Sequence, residues 1–432
     1  MKIMLKNVNF YDKIIQKKSV FCFSVTNHER KGITMTNNKQ KLITYRTAQL
    51  LSGIIARVVF KNKYIRNEIK NKKGPMVIIA NHQAALDFTT LIGATKECQT
   101  LVVSDSFYNT LPFKKSMDKI GVIPKQQFQT SIKEISSMKK TIKNGGILTF
   151  YPAGLMCEDG LSTPIPSATY QFLQWLDADI YVAKISGSYF CTPKWSKKTR
   201  PGKTYLDIHK LIDKENLKEM PIDDIKKIVD EALLFDAYRE QENLKIKYRG
   251  GNNIEGLENV LFVCPKCKSE FTIKTKDKDT LYCEKCGFAH TSDKYGFLHS
   301  TSNDKDEFRY VSDWSRFVYN KIKSDIESGA LTELSAHATI QTIDYNKHKY
   351  VDVGSANVTL TPKKFIITGI INSTWQKIEI PIAQFASLPF KPGCRIEIQH
   401  NKTSYRCVLD DGKLAMKFID MVKIYYEMNQ SK

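Results

Sequence analysis

Apolar positions in the first forty residues follow no period; the segment is basic and polar. A pattern starts at residue 43. From there to residue 60, Leu50, Leu51, Ile54, Ile55, Val58 and Val59 share one helical stripe, with Arg46, Gln49, Ser52 and Arg57 elsewhere. Arg57 interrupts the run, so this helix is not expected to span a bilayer. It suits either of two roles. One is a core-facing helix of the next domain. The other is an amphipathic helix in a membrane interface, with Lys61, Lys63 and Arg66 meeting anionic headgroups.

Between residues 76 and 239 short β-type runs alternate with helical stretches. The runs are 76–80, 100–104, 121–124, 147–151, 180–186 and 204–209; the helical patterns are 88–96, 112–119, 130–143 and 168–177. Such alternation predicts an α/β domain with a mostly parallel sheet. A helix over 222–238 follows Pro221 and carries Asp223 and Asp224 in its first turn, as a helix start should. Residues 249–253 read as a linker. Strands are expected at 271–273 and 281–282, and an amphipathic helix at 314–326. Seven further β-type runs follow, at 338–343, 349–353, 357–360, 365–370, 376–380, 395–399 and 404–409, before a helix at 414–428. Seven strands and one closing helix look like a pleckstrin-homology-type barrel, with lipid or protein docking or simple scaffolding as its role. The expected division is an extension at 1–40, an α/β domain at 41–249, a small ribbon at 250–300 and a mainly β domain at 301–432.

Composition narrows the function classes. A chain of 432 residues with 42% hydrophobic and 11% aromatic content is globular, with more than one core. A net charge of +21 suits a polyanionic partner: a phospholipid surface, a nucleic acid or an acidic carrier protein. Four of the ten cysteines form two Cys-x-x-Cys pairs and the rest are scattered, which implies a reducing compartment. Residues Glu29-Arg30-Lys31-Gly32 shortly precede Met35, and purine-rich codons encode such a tetrapeptide. Met35 is therefore the expected start, with 1–34 as translated upstream sequence; the other reading is a disordered tail.

The cysteine pairs carry the sharpest chemistry. Cys264-Pro265-Lys266-Cys267 and Cys283-Glu284-Lys285-Cys286 are separated by fifteen residues, the spacing of a four-Cys zinc ribbon. Four thiolates fill a tetrahedron, so such a zinc is structural; a rubredoxin-like iron site is the rival. A ribbon of this kind also suits an adaptor that binds nucleic acid or acidic proteins without catalysis.

At the end of the run Met76–Ala80 stand Asn81 and His82, with Asp87 shortly after. Three more blocks follow in order: Ile120-Gly121-Val122-Ile123-Pro124, Phe150-Tyr151-Pro152-Ala153-Gly154 with Asp159-Gly160 behind it, and Ile180-Tyr181-Val182-Ala183. Over residues 45–240 this series resembles the lysophosphatidic acid acyltransferases, the PlsC-type glycerolipid family with its His-x-x-x-x-Asp motif. The resemblance implies that His82 deprotonates an acceptor hydroxyl, that Asp87 orients it, and that Asn81, Lys125 and Gly154 bind substrate. The donor would be an acyl thioester on coenzyme A or acyl carrier protein. The acceptor would be a lysophospholipid resembling 1-acylglycerol-3-phosphate, and the enzyme a cytoplasmic protein peripheral on the inner face of a membrane, with no nucleic acid partner. Two departures stand out. Ala153 and Met156 replace the family's acidic residue and its phosphate-gripping arginine, leaving Lys125 as a substitute cation. A covalent role for Cys157 is not expected, since no second His pairs with it. Residues 187–200 interleave aromatics with cations, which suits a lipid interface, single-stranded nucleic acid or a solvated basic loop with a packed Trp; beside an acyltransferase-like domain the lipid interface is the expectation. The fold class expected is thus an α/β acyltransferase domain with a mostly parallel sheet, then a zinc ribbon, then a mainly β domain closed by a helix.

Overall fold

The computed structural model describes residues 33–111, 113–127, 131–301, 307–401 and 403–430. The expectation for segment 1–34 therefore falls almost wholly outside it. Helix α1 (Ile33–Val58) begins well before residue 43. The first sheet collects β1 (Lys63–Asn67), β2 (Met76–Ala80), β3 (Gln99–Ser104), β4 (Ile123–Lys125), β5 (Ile147–Phe150), β6 (Asp179–Ser186) and β7 (Tyr205–Ile212). Between and after them lie α2 (Phe88–Leu91), α3 (Asp105–Thr110), α4 (Lys114–Ile120), α5 (Ile132–Lys143), α6 (Ala168–Leu176), α7 (Ser188–Cys191), α8 (Lys214–Glu219), α9 (Ile222–Leu233) and α10 (Ala237–Leu244). The strand order is β1-β7-β6-β2-β5-β3-β4, and every pairing is parallel except β6 with β7.

Strand β2 is central, hydrogen-bonded to both β5 and β6, and all five of its residues are buried. Val77 and Ile79 face a core shared with α5, α6 and α9, whereas Met76, Ile78 and Ala80 face Ile69, Leu91 and Ala94. Cover on both faces explains why the strand is apolar at every position rather than at alternate ones.

Helix α1 packs on α2 and α4 with its polar side inward. Gln49 donates to the carbonyls of Ile92 and Thr95 at 2.8 and 3.1 Å, Arg46 donates to the Lys96 carbonyl, and the Tyr45 hydroxyl accepts from the Gln99 N–H at 2.9 Å. Ser52, Ala56 and Val59 are buried. Ile43, Leu50, Leu51, Ile54 and Val58 are exposed. The apolar stripe is therefore divided: most of it faces out.

Strands β8 (Ile273–Lys276), β9 (Thr280–Cys283), β10 (Ala289–Ser292) and β11 (Leu298–Ser300) form an antiparallel ribbon. Helix α11 (Val311–Glu327) leads to a second seven-stranded sheet. It comprises β12 (Leu334–Asp344), β13 (Lys349–Leu360), β14 (Lys364–Ile371), β15 (Thr374–Pro381), β16 (Phe390–Lys391), β17 (Arg395–His400) and β18 (Thr403–Leu409), antiparallel throughout, in the order β15-β14-β13-β12-β18-β17-β16. The runs at 349–353 and 357–360 are one strand, continued through Gly354. That glycine sits at φ 153°, and a Cβ there would lie 1.9 Å from the Ile370 carbonyl oxygen, so no side chain fits. Helix α12 (Leu414–Gln430) closes the chain.

One continuous apolar core joins the parts. It runs from Val59, Ala84, Leu86, Phe190 and Trp195 through Phe262 and Leu281 of the ribbon to Trp314, Phe365 and Phe418. Ala84 and Leu86 lie between His82 and Asp87, so the segment carrying that pair is packed into the same core as α12.

Candidate active site and metal centre

His82 emerges at the carboxyl end of a central parallel strand, where open α/β sheets place their ligands. Asn81 makes the transition. Its amide donates to the Ile185 carbonyl at 2.8 Å and accepts the Ile185 N–H at 2.7 Å, which ties the end of β2 to β6. Those bonds give Asn81 a positioning role beside the substrate-binding one inferred from the motif. The chain then turns so that Asp87, fully buried, points back. Its Oδ2 accepts the N–H groups of Gln83 and Ala84, both at 2.8 Å, and stands 3.1 Å from His82 Nδ1. A carboxylate held by two backbone donors is a fixed acceptor, so it selects the tautomer with the proton on Nδ1 and leaves Nε2 as the basic atom.

Two further residues hold this arrangement. The Tyr151 ring stacks on the imidazole with centroids 4.0 Å apart. Gln83 Oε1 accepts from Ser188 Oγ and from the Tyr189 N–H, each at 3.2 Å. Sequence reasoning assigned neither residue a role, although Tyr151 sits inside the third block. Cys157 is buried, which pushes its thiol well above the usual range and disfavours the thiolate; the sulfur lies 3.8 Å from the Gln83 carbonyl, and its N–H donates to the His82 carbonyl oxygen at 3.2 Å.

A cavity of about 300 Å³ opens beside His82. Leu155, Ile165, Leu233, Leu234 and Phe235 make its walls apolar, and Ser162 and Thr163 add hydroxyls. Its cation, Lys226, is paired with Asp230 at 2.6 Å. Lys125 is not part of this lining. It ends β4 at the sheet edge, where its ammonium donates to the Gln126 carbonyl at 3.2 Å and burial lowers its pKa. Gly154 sits at φ 68° with nothing within 4 Å of a would-be Cβ, so it serves a left-handed turn rather than a close approach. Its carbonyl accepts from Gln127 Nε2 at 2.5 Å, a contact with no signal in the sequence.

Residues 187–200 do not form an interfacial loop. Tyr189, Phe190, Cys191 and Trp195 are buried; Trp195 Nε1 donates to the Tyr189 hydroxyl at 3.0 Å, and the Arg200 guanidinium covers the indole at 4.6 Å. Two of the interleaved cations, Arg200 and Lys194, turn inward onto rings, whereas Lys197 and Lys198 are exposed.

The four ribbon cysteines converge. Cys264 and Cys286 sulfurs are 3.6 Å apart, those of Cys267 and Cys283 3.7 Å, and all four lie within 4.8 Å of one another. A tetrahedron with metal–sulfur bonds of about 2.3 Å has sulfurs about 3.8 Å apart, so the set fits zinc. Each pair sits on a tight turn closed by Lys268 N–H to the Cys264 carbonyl and Gly287 N–H to the Cys283 carbonyl. Trp314 Nε1 anchors the ribbon by donating to the Val263 carbonyl at 2.9 Å. The cluster of Asp179, Asp213 and Glu215 differs, since the Lys210 ammonium already bonds both aspartates.

Comparison with known proteins adds the following. A search of curated proteins finds no match. Among solved structures, the 1-acyl-sn-glycerophosphate acyltransferase PlsC of Thermotoga maritima is similar at 16% identity and a TM-score of 0.41, over 49% of this chain and 84% of that one. Residues 58–181 match the family model described as acyltransferase. That match spans β2, His82, Asp87 and the Tyr151–Gly154 turn, and over these residues the chain is similar to the acyltransferase family.

Proposed function

We propose that the protein is a membrane-peripheral O-acyltransferase that moves a fatty acyl group from a thioester to a lysophospholipid hydroxyl. The observation that carries this reading is the His82–Asp87 pair, with Nδ1 held 3.1 Å from a carboxylate that two backbone N–H groups fix. The acceptor hydroxyl gives its proton to His82 Nε2 as its oxygen attacks the thioester carbonyl. The tetrahedral adduct then collapses, the carbon–sulfur bond breaks, and the leaving thiolate takes the proton back from the imidazolium. Asp87 stabilises the charged ring throughout. No enzyme nucleophile takes part. The donor is acyl coenzyme A or an acylated carrier protein, and a chain with net charge +21 suits either. The apolar walls beside His82 suit an acyl chain. A 1-acylglycerol-3-phosphate-like acceptor stays the leading choice, although Lys125, the cation offered for its phosphate, stands outside the cavity beside His82.

The outward face of α1 supports docking on a membrane: Ile43, Leu50, Leu51, Ile54 and Val58 are exposed, and Arg57, Lys61 and Lys63 beside them are exposed cations. No helix among the described residues is long and apolar enough to cross a membrane. The site of action is the cytoplasmic face, zinc has a structural role in the ribbon, and nucleic acid is not a partner. The deciding experiment incubates purified protein with a radiolabelled acyl thioester and a panel of lysolipids. Label enters lipid with wild type and not with His82→Ala; label in neither favours the zinc-ribbon adaptor.

A further inference from the structure

Three carboxylates and two ammonium groups meet in the interior where the loop after the third block touches the C-terminal half. Glu158 and Asp159, both buried, follow Cys157 directly. One Glu158 oxygen pairs with Lys423 on α12; the other lies 3.9 Å from Lys194, whose ammonium also donates to the Met156 carbonyl at 3.5 Å. Asp159 accepts from Ser315 of α11 at 2.6 Å. Asp420, one turn before Lys423 on α12, faces the same group. The Tyr189 hydroxyl closes the cluster by donating to the Glu158 carbonyl at 3.4 Å.

This cluster is one residue from the reacting centre. The backbone N–H of Cys157 donates to the carbonyl of His82, and the Cys157 sulfur meets the carbonyl of Gln83. Whatever fixes residues 155–160 therefore fixes the segment that carries the base. The first domain also holds this loop, through His82, Lys194 and the Ala237 N–H, but the carboxylates of Glu158 and Asp159 reach across to α12 and α11. An apolar pair would fill the space equally well. A buried carboxylate between two ammonium groups instead defines one position, because displacement in any direction strands a charge.

We propose that Glu158 and Lys423 are positioning residues through which the C-terminal helix sets the geometry of His82. This rests on the acyltransferase reading for its effect on turnover, though not for its effect on the imidazole.

The test compares full-length Lys423→Met, Glu158→Gln and the double variant. Lys423→Met, which leaves the buried Glu158 carboxylate with only the more distant Lys194 as counterion, is expected to lower kcat about tenfold or more with KM for the acyl thioester within about twofold, and the double variant to recover most of the loss. The second readout needs no turnover: in histidine-labelled protein, the imidazole resonances of His82 shift in Lys423→Met and return in the double variant. Loss of thermal stability with unchanged His82 resonances would overturn the proposal. So would a double variant no better than the worse single one in both readouts. If wild type transfers no acyl group, the proposed function fails, and the resonances still decide the coupling.

Discussion

The phenol ring of Tyr151 lies flat on the imidazole of His82, centroids 4.0 Å apart and planes 13° from parallel. An aromatic face attracts a cation, so the stack favours the imidazolium formed as the acceptor is deprotonated, by about 0.5–2 kcal/mol. Tyr151→Leu is expected to lower kcat roughly threefold to thirtyfold. The Tyr151 hydroxyl is buried and has no hydrogen-bond partner among the described residues, so Tyr151→Phe should retain both activity and stability. Steady-state kinetics on the two variants check the contrast.

Asp87→Asn preserves shape and removes the charge. The amide oxygen takes the place of Oδ2, where the Gln83 and Ala84 N–H groups still need an acceptor, and a neutral amide no longer stabilises the imidazolium that forms. The expected loss in kcat is on the order of a thousandfold or more, with near-native circular dichroism. A loss of less than about tenfold would argue against His82 as the base.

Leu50 and Ile54 are exposed on α1, so replacing both by Asp should alter stability by no more than about 1 kcal/mol. Co-sedimentation with anionic phospholipid vesicles should fall sharply in the same variant. Tyr45→Phe supplies the opposite pattern. It removes the acceptor for the buried Gln99 N–H, costs about 1–3 kcal/mol in unfolding, and leaves vesicle binding intact.

The sulfur tetrahedron predicts one zinc per chain by elemental analysis, lost in Cys283→Ser. Cys264 and Cys283 are buried in the core that also holds Ala84 and Leu86. Removing the metal should therefore lower the melting temperature of the whole chain in one transition instead of melting a separate ribbon.

Asp420 is buried beside Glu158 and Asp159, and desolvation pushes its pKa from 3.8 to about 8. The folded state thus keeps a proton that the unfolded chain has already released. This group costs no stability below about pH 4, and the cost grows as pH rises to about 8, where it levels off. Asp420→Asn removes the dependence. Its melting temperature relative to wild type should rise across that window and stay constant above it.

The sequence was legible where one force decides a position. Strands β2 and β5 are apolar at almost every residue, as is β6 over Ile180–Ala183, because both faces are covered, and their bounds lie within a residue of the run itself. The His82–Asp87 motif is short and local, its geometry made within a single turn, and the cysteine spacing marks two such turns that the ribbon brings together. Strand β1 was missed because it lies at the sheet edge, exposed and charged, and is held by pairing to β7. For α1 the stripe was visible but not its direction: a polar inner face works only because Gln49 and Arg46 find carbonyls on the 92–96 loop. Trp195 and Arg200 read as interfacial because nothing local reveals that Tyr189 and the Gly251 carbonyl await them. Glu158 was silent for the same reason, since its partner lies 265 residues away.

That separation has a consequence for synthesis. At roughly 5–20 residues per second, Lys423 leaves the ribosome tens of seconds after Glu158. In the interval the loop behind His82 has two adjacent carboxylates and no counterion from α12, and the core around Ala84 lacks one wall. A nascent or prematurely terminated chain thus holds the whole His82–Asp87 motif without the scaffold that seats it. On the proposed coupling, the site is seated only once α12 has been made.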